Sequence, residues 1–249
     1  MSCFLIALQF LTVIPLNIKK YSEERMAASA AYFPLAGLVI GVIVAGLYKA
    51  LMLAHFPGLA CDTIAVLLLA GITGGMHLDG LSDTADAFFS RKDKTGMLAI
   101  MRDPSVGALG ALSITGALLL KIALLFSLVA TLKVPGLIGL CVAARWSAVF
   151  QMHTFDYARE KGKATAFMKE RKPHILIIAT IFAAAILFAI LKLPGIVLLS
   201  FICLVSFLQG WFCQKLLGGI TGDTIGAGIE ISEVAVLIYL NVLAHSFSA

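Results

Sequence analysis

Apolar residues run along this chain in long blocks, separated by short polar stretches. The blocks fall near Tyr32–Leu53, Ile64–Phe89, Val106–Thr131, Pro135–Phe155, His174–Leu191, Gly195–Leu217 and Ile225–His245. Each approaches or exceeds the ~20 residues that a helix needs to cross the hydrocarbon layer of a bilayer. An eighth stretch, Cys3 to Leu16, is short for that purpose. It fits a tilted short span, a re-entrant piece or an interfacial helix. The pattern predicts an all-α, polytopic integral membrane bundle of about seven or eight helices. With short loops and no internal repeat, residues 1–249 read as a single domain.

Composition agrees and narrows the function classes. The chain has 19 basic and 14 acidic residues, is 13% charged and 60% hydrophobic, and has a mean hydropathy of +0.99. Soluble domains are about 25% charged and about half apolar. A disordered chain is excluded, and a soluble globular enzyme fits poorly. The net charge of +5 sits in short basic clusters between apolar runs. Such clusters read as topology signals rather than as a phosphate-binding face, so no nucleic-acid partner is expected. A secretory signal is not expected either, because Lys19 and Lys20 follow the first apolar stretch instead of preceding it. Cys3, Cys61, Cys141, Cys203 and Cys213 are scattered and read as small apolar residues, not as disulfides or zinc ligands.

Loop charge sets an orientation. If every block from Tyr32 onward crosses, Lys19–Arg25, Ser90–Ser105, Asp156–Pro173 and Gly218–Thr224 share one side. That side holds Arg91, Lys92, Lys94, Arg102, Arg159, Lys161, Lys163, Lys169, Arg171 and Lys172. The opposite loops near Pro57, Lys133 and Leu193 are short and poor in charge. Positive loops stay on the cytoplasmic side. Lys49 and Lys121, at or within spans, read as snorkelling cations. Arg145, deeper in its block, either snorkels or faces a polar cavity.

Against this sparse charge, three acidic stretches stand out. The first, Gly74 to Phe88, reads GGMHLDGLSDTADAF. Asp79, Asp83 and Asp86 are spaced i, i+4 and i+7, which stacks them on one helix face. If they only solvated a helix end, three neighbouring anions would lack compensation. A hard cation such as Mg²⁺ or Mn²⁺, shared with substrate phosphates, suits them. His77 lies off that face, where helix packing and a supporting polar role both fit. The second stretch, MRDPSVGALG from Met101 to Gly110, offers Asp103 as helix N-cap or metal ligand and Arg102 as a phosphate contact. Gly107 and Gly110 there allow close approach of a helix or ligand. The third, GGITGDTIGAGIEISE from Gly218 to Glu233, has a glycine-rich turn at Gly222 that can face phosphate oxygens. Asp223, Glu230 and Glu233 follow, and acids inside a span are functional by default. By loop parity all three stretches reach one boundary, which predicts a single polyacidic, metal-binding site facing the cytoplasm.

With these motifs in hand, the chain resembles the cobalamin synthase family, the adenosylcobinamide-GDP ribazoletransferases. The resemblance covers most of the chain. It rests on ALQFLTVIP (Ala7–Pro15), YFPLAG (Tyr32–Gly37), and the pair GGxHLDGLxDTxD and TGDxxGAxxExxE. It implies a bacterial or archaeal cytoplasmic (inner) membrane enzyme that joins adenosylcobinamide-GDP to α-ribazole or its 5′-phosphate, releasing GMP, with Mg²⁺. On this chain it implies Asp79, Asp83, Asp86 and Asp103 at the metal and Arg102 and Arg145 steadying oxygen charge. His77, Gly107, Gly222, Asp223, Glu230 and Glu233 are then candidates for the substrate side. One carboxylate would take the acceptor's hydroxyl proton. Ser105 departs from the family pattern, which often has a basic residue there, and Met76 and Ser82 vary more mildly. The spacing of Gly75, Asp79 and Asp83 also matches the closing half of the CDP-alcohol phosphotransferase signature, whose opening half is missing. Lipid is an implied partner, and assembly into a homo-oligomer is left open. The competing class is a transporter of a cation or small solute using the intramembrane acids, though no inverted repeat supports it. A membrane scaffold would leave the carboxylates unexplained.

Overall fold

A computed structural model describes residues 3–16, 22–159, 162, 164–169 and 171–246. Lys19, Lys20, Lys161 and Lys163 of the basic loops lie outside the described residues. Twelve α-helices occur among the described residues, with no strand. In chain order they are α1 (Cys3–Leu11), α2 (Glu23–Ser29), α3 (Phe33–Leu53), α4 (Gly58–Ile72), α5 (Met76–Phe89) and α6 (Lys94–Ile100). There follow α7 (Ala108–Ser127), α8 (Ala130–Thr154), α9 (Thr165–Lys169), α10 (Pro173–Leu191), α11 (Leu193–Leu217) and α12 (Gly222–Ser246).

Six stretches among them are long and apolar enough to cross a membrane: α2 with α3, α7, α8, α10, α11 and α12. The pair α4 and α5 makes a seventh if counted as one span. Their outer faces carry large apolar side chains, such as Leu112, Leu119, Ile177, Ile181 and Phe188, each more than half exposed. In water such faces would aggregate; against lipid tails they are at rest. The chain is a multi-pass membrane protein.

One expectation changes. The block Ile64–Phe89 is not one helix. Gly74 and Gly75 take left-handed φ of 63° and 69°, and α5 leaves α4 at 86°. Consecutive left-handed residues end the α4 hydrogen-bond ladder, and glycine adopts that conformation without a Cβ clash. Of the N-terminal stretch, Cys3–Leu11 is helical and rises only ~14 Å. Its extended tail docks on α4, with the Val13 N–H donating to the Ile72 carbonyl at 2.9 Å.

α8 is the axis of the bundle, and α3, α10, α11 and α12 all pack on it. Gly37 and Gly41 of α3, one turn apart, lie against the α8 backbone between Leu137 and Val142. Without a hydrophobic drive between helices in lipid, such small-residue seams permit the close backbone contact that holds them. At one end of the bundle the segment after α8 pairs with the segment before α12. The Ala158 N–H donates to the Ile220 carbonyl at 2.8 Å, and the Ile220 N–H to the Asp156 carbonyl at 2.7 Å. The loops grouped by parity therefore meet in space.

Candidate active site

The site is built where α5 and α12 begin. Thr221 and Thr224 cap α12 reciprocally. The Thr224 N–H donates to Thr221 Oγ1 at 3.1 Å and the Thr221 N–H to Thr224 Oγ1 at 2.8 Å. Free N–H groups at the helix start are satisfied in this way, and Asp223 is held in the first turn, where the helix dipole favours an anion. Asp79 occupies the first turn of α5 in the same manner. Gly80 lets the two helices touch backbone to backbone, since a Cβ there would sit 2.6 Å from the Asp223 carbonyl oxygen. Asp79 and Asp83 are thereby brought beside Asp223.

These carboxylates open into a cleft of about 370 Å³. It is lined by Asp79 and Asp83 from α5, Arg102 and Asp103 from the loop after α6, Arg159 from the loop after α8, and Asp223. Gly222 contributes at the floor of the same cleft. The three separated motifs thus supply one cavity. Arg159 Nη2 lies 2.8 Å from Asp223 Oδ2, and Asp83 feels the negative charges of Asp79 and Asp223 as well as the Arg159 cation. Neither Asp79 nor Asp83 is in an ion pair among the described residues.

That donor set fits Mg²⁺ in one particular way. Among the described residues no three His, Cys, Asp or Glu side chains form a ready-made metal cage. Mg²⁺ commonly takes one or two protein carboxylates and completes its octahedron with water and substrate phosphate. Asp79 and Asp83, two carboxylates in no ion pair among the described residues and on the wall of an open cleft, fit that pattern.

Asp86, the third acid of the face, turns to a different task. Its Oδ2 accepts the Gly107 N–H and its Oδ1 the Gly110 N–H, both at 2.8 Å. A side chain on either glycine would collide with that carboxylate. The close approach expected at Gly107 and Gly110 is real, but what approaches is Asp86 of this chain. Asp103 is not the cap of α7. That place falls to Gly107, with Asp86 satisfying the free N–H groups. Asp103 instead closes a turn, its Oδ1 accepting the Ser105 N–H at 2.9 Å and the Ser105 hydroxyl at 2.6 Å. Those bonds, the hydroxyl first, hold the exposed Asp103 carboxyl below the usual carboxylate range.

Glu230 and Glu233 lie elsewhere. They are eight and eleven residues into α12, hence ~12 and ~17 Å below its start. There they meet Lys121 of α7 and Arg145 of α8. Lys121 Nζ is 2.6 Å from Glu230 Oε2 and 2.5 Å from Glu233 Oε2, and Arg145 Nη1 is 2.5 Å from Glu233 Oε1. Both cations are almost fully buried, at 3% and 0% exposed. Lys121 therefore does not snorkel, and Arg145 faces Glu233 rather than the cleft. Two acids opposite two bases form an internal neutral cluster, the arrangement that makes buried charge tolerable in a low dielectric. Lys49 is exposed, as a snorkelling lysine would be. A second buried pair escaped the sequence reading at the far end, where Lys133 Nζ lies 2.7 Å from Asp62 Oδ2.

His77 is 2% exposed, on the side of α5 turned into the bundle. Neither ring nitrogen has a hydrogen-bond partner among the described residues. Arg159 is the cleft residue that sequence reasoning missed. Its signal was only membership of a basic loop of the right parity, which served there as a topology marker. All five cysteines are free.

Comparison with known proteins now has a geometry to rest on. The family profile described as cobalamin-5-phosphate synthase matches residues 3–241. An adenosylcobinamide-GDP ribazoletransferase of Desulforamulus reducens is 37% identical over 237 residues, covering 94% of each chain. One from Clostridioides difficile is 34% identical over 99% of this chain and 100% of its own. A third, from Chlorobaculum parvum, is 39% identical over 92% and 91%. No solved structure matches the chain. Profile and relatives alike run through all three motifs that line the cleft, and the chain belongs to the cobalamin-5-phosphate synthase family.

Proposed function

We propose that this protein is a membrane ribazoletransferase that joins adenosylcobinamide-GDP to α-ribazole, or to its 5′-phosphate, and releases GMP. The observation that carries this reading is the one cleft gathering Asp79, Asp83, Arg102, Asp103, Arg159 and Asp223 from separate stretches of chain. Carboxylates and guanidinium groups side by side suit a reaction at a diphosphate, and the names of the relatives supply its substrates.

In the reaction, a ribose hydroxyl of the acceptor forms an O–P bond to the phosphorus that carries the cobinamide. The bond from that phosphorus to the bridging oxygen breaks, and GMP leaves with the electron pair. Arg102 and Arg159 hold phosphate oxygens and offset the charge that gathers on them. A cleft carboxylate accepts the hydroxyl proton. Asp79 and Asp83 would hold Mg²⁺, which would supply positive charge to offset that of the phosphates. Arg145 has no part in this, being sealed against Glu233. The loops beside the cleft carry most of the lysines and arginines, which supports a site facing the cytoplasm of a bacterial or archaeal cell.

The test is direct. Purified protein incubated with adenosylcobinamide-GDP, α-ribazole and Mg²⁺ is expected to release GMP and form a cobalamin product. Solute flux across liposomes without product would replace this reading with transport. Full Mg²⁺-dependent activity in Asp83→Asn would sink the metal assignment.

A further inference from the structure

Outside the cleft, the far end of α5 meets the last turns of α11, with the Phe88 and Phe212 rings 5.6 Å apart. α6 joins them through a small core of its own, in which Ala87, Met97, Met101 and Leu217 are buried together. Around this junction Arg91, Lys92, Lys94 and Lys215 are all exposed, and none is in an ion pair among the described residues. By contrast, Arg159, Arg171 and Lys172, in or just after the loop that follows α8, face Asp223, Asp156 and Glu24 at 2.8, 3.1 and 3.0 Å. Asp93, the acid nearest the four cations in sequence, is taken up as the cap of α6, its Oδ1 accepting the Gly96 N–H at 2.9 Å. The cations come from two elements that touch. Lys94 of α6 lies over the end of α11, where a Cβ on Gly218 would sit 2.8 Å from its Nζ.

The same face is apolar beside its cations. Leu204, Phe207, Leu208 and Trp211, spaced i, i+3, i+4 and i+7, are exposed along one side of α11 and form its lipid-facing stripe. Lys215 ends that stripe one turn further on, its Nζ 5.8 Å from the centre of the Trp211 ring. Phe89 is exposed at the end of α5. Aromatic rings settle at the edge of the hydrocarbon, and lysine stems reach from there to headgroup level. A soluble anion would meet the cations but have no use for the stripe. We infer that this face seats the phosphate headgroup of an anionic phospholipid, its acyl chains lying along the α11 stripe, and that the lipid pins α6 to the bundle. A helix of seven residues does not persist on its own, so a headgroup shared by cations of α6 and α11 adds to the little core that holds it. α6 leads straight into Arg102 and Asp103, so the lipid also steadies one wall of the cleft.

The test reads lipid contact and backbone exchange, and so does not depend on the transferase reading. The chain has two tryptophans, Trp211 on this face and Trp146, which is only 4% exposed. The full chain is reconstituted in vesicles of equal phosphatidylglycerol and phosphatidylcholine, with bromine on the acyl chains of one lipid or the other. Quenching of tryptophan fluorescence then shows which lipid lies against Trp211, and Trp211→Phe supplies the Trp146 background. Phosphatidylglycerol is expected to be preferred at least about fivefold, the scale of one well-placed cation. That preference should shrink to within about twofold in about 0.5 M salt, which screens exposed charge. The triple variant Arg91→Gln, Lys92→Gln, Lys94→Gln should shrink it as far, and all three positions are exposed, where substitutions cost little stability. Hydrogen exchange of the α6 amides should be at least about threefold slower in phosphatidylglycerol than in phosphatidylcholine alone. Equal quenching by the two lipids overturns the lipid site, as does a preference that survives salt or the triple variant. Exchange in α6 that is the same in both lipids overturns the pinning.

Discussion

Asp86 accepts the N–H of Gly107, 21 residues further along the chain, at 2.8 Å and so grips the N-cap of α7. The same carboxylate takes the Gly110 N–H. Asp86→Ala leaves both donors without a partner and should cost about 1–2 kcal/mol, as for a lost helix cap. The thermal midpoint in detergent should fall, while the Mg²⁺ concentration for half-maximal activity stays unchanged. A shift in that Mg²⁺ requirement would return Asp86 to the metal.

Asp79 and Asp83 should behave in the opposite way. Each Asp→Asn change removes a charge that no ion pair balances among the described residues. Stability should hold or rise slightly, and turnover should fall by roughly a hundredfold or more, the scale of losing one electrostatic catalytic group. Single-turnover product formation at saturating Mg²⁺ measures it.

For Arg159, the change to Ala is expected to lower kcat/KM about ten- to a hundredfold, with Lys restoring part of it, because a guanidinium meets phosphate in a way an ammonium cannot. Asp223 also loses its counter-charge in that variant. An unaltered kcat/KM would remove Arg159 from the site.

The internal cluster predicts a folding defect, not a catalytic one. Lys121→Met leaves Glu230 and Glu233 short of a cation in the bundle interior. Breaking a buried pair from one side typically costs about 3–5 kcal/mol. Adding Glu230→Gln to Lys121→Met should recover part of that loss, a non-additive pattern that denaturation of the single and double variants would reveal.

Gly80→Ala tests the contact that assembles the cleft. An added methyl meets the Asp223 carbonyl oxygen, and overpacking of this kind costs about 1–3 kcal/mol. Activity should drop more than stability alone explains, because α5 and α12 can relieve the clash only by separating Asp79 and Asp83 from Asp223. Cross-linking yield between cysteines placed on α5 and α12 would report the separation.

Much of this protein could be read from residue order alone. Long apolar blocks determine that the chain lives in lipid, since every backbone polar group there must be satisfied within a helix. The spacing of Asp79, Asp83 and Asp86 puts them on one face of α5, and loop parity puts the three motifs at one end of the bundle. These are periodic or additive properties, carried by local sequence. The division of labour among the acids is not. Asp79, Asp83 and Asp86 look alike in the motif, yet two line the cleft and one caps α7. Glu230 and Glu233 belong to the same motif as Asp223, yet they sit deep in the bundle against Lys121 and Arg145. Nor is the 86° bend at Gly74 and Gly75, which splits the block Ile64–Phe89 that reads as one span. A charge's role depends on which opposite charge or N–H lies within about 3 Å of it. Such partners come from other helices, far away in sequence, and only packing brings them together.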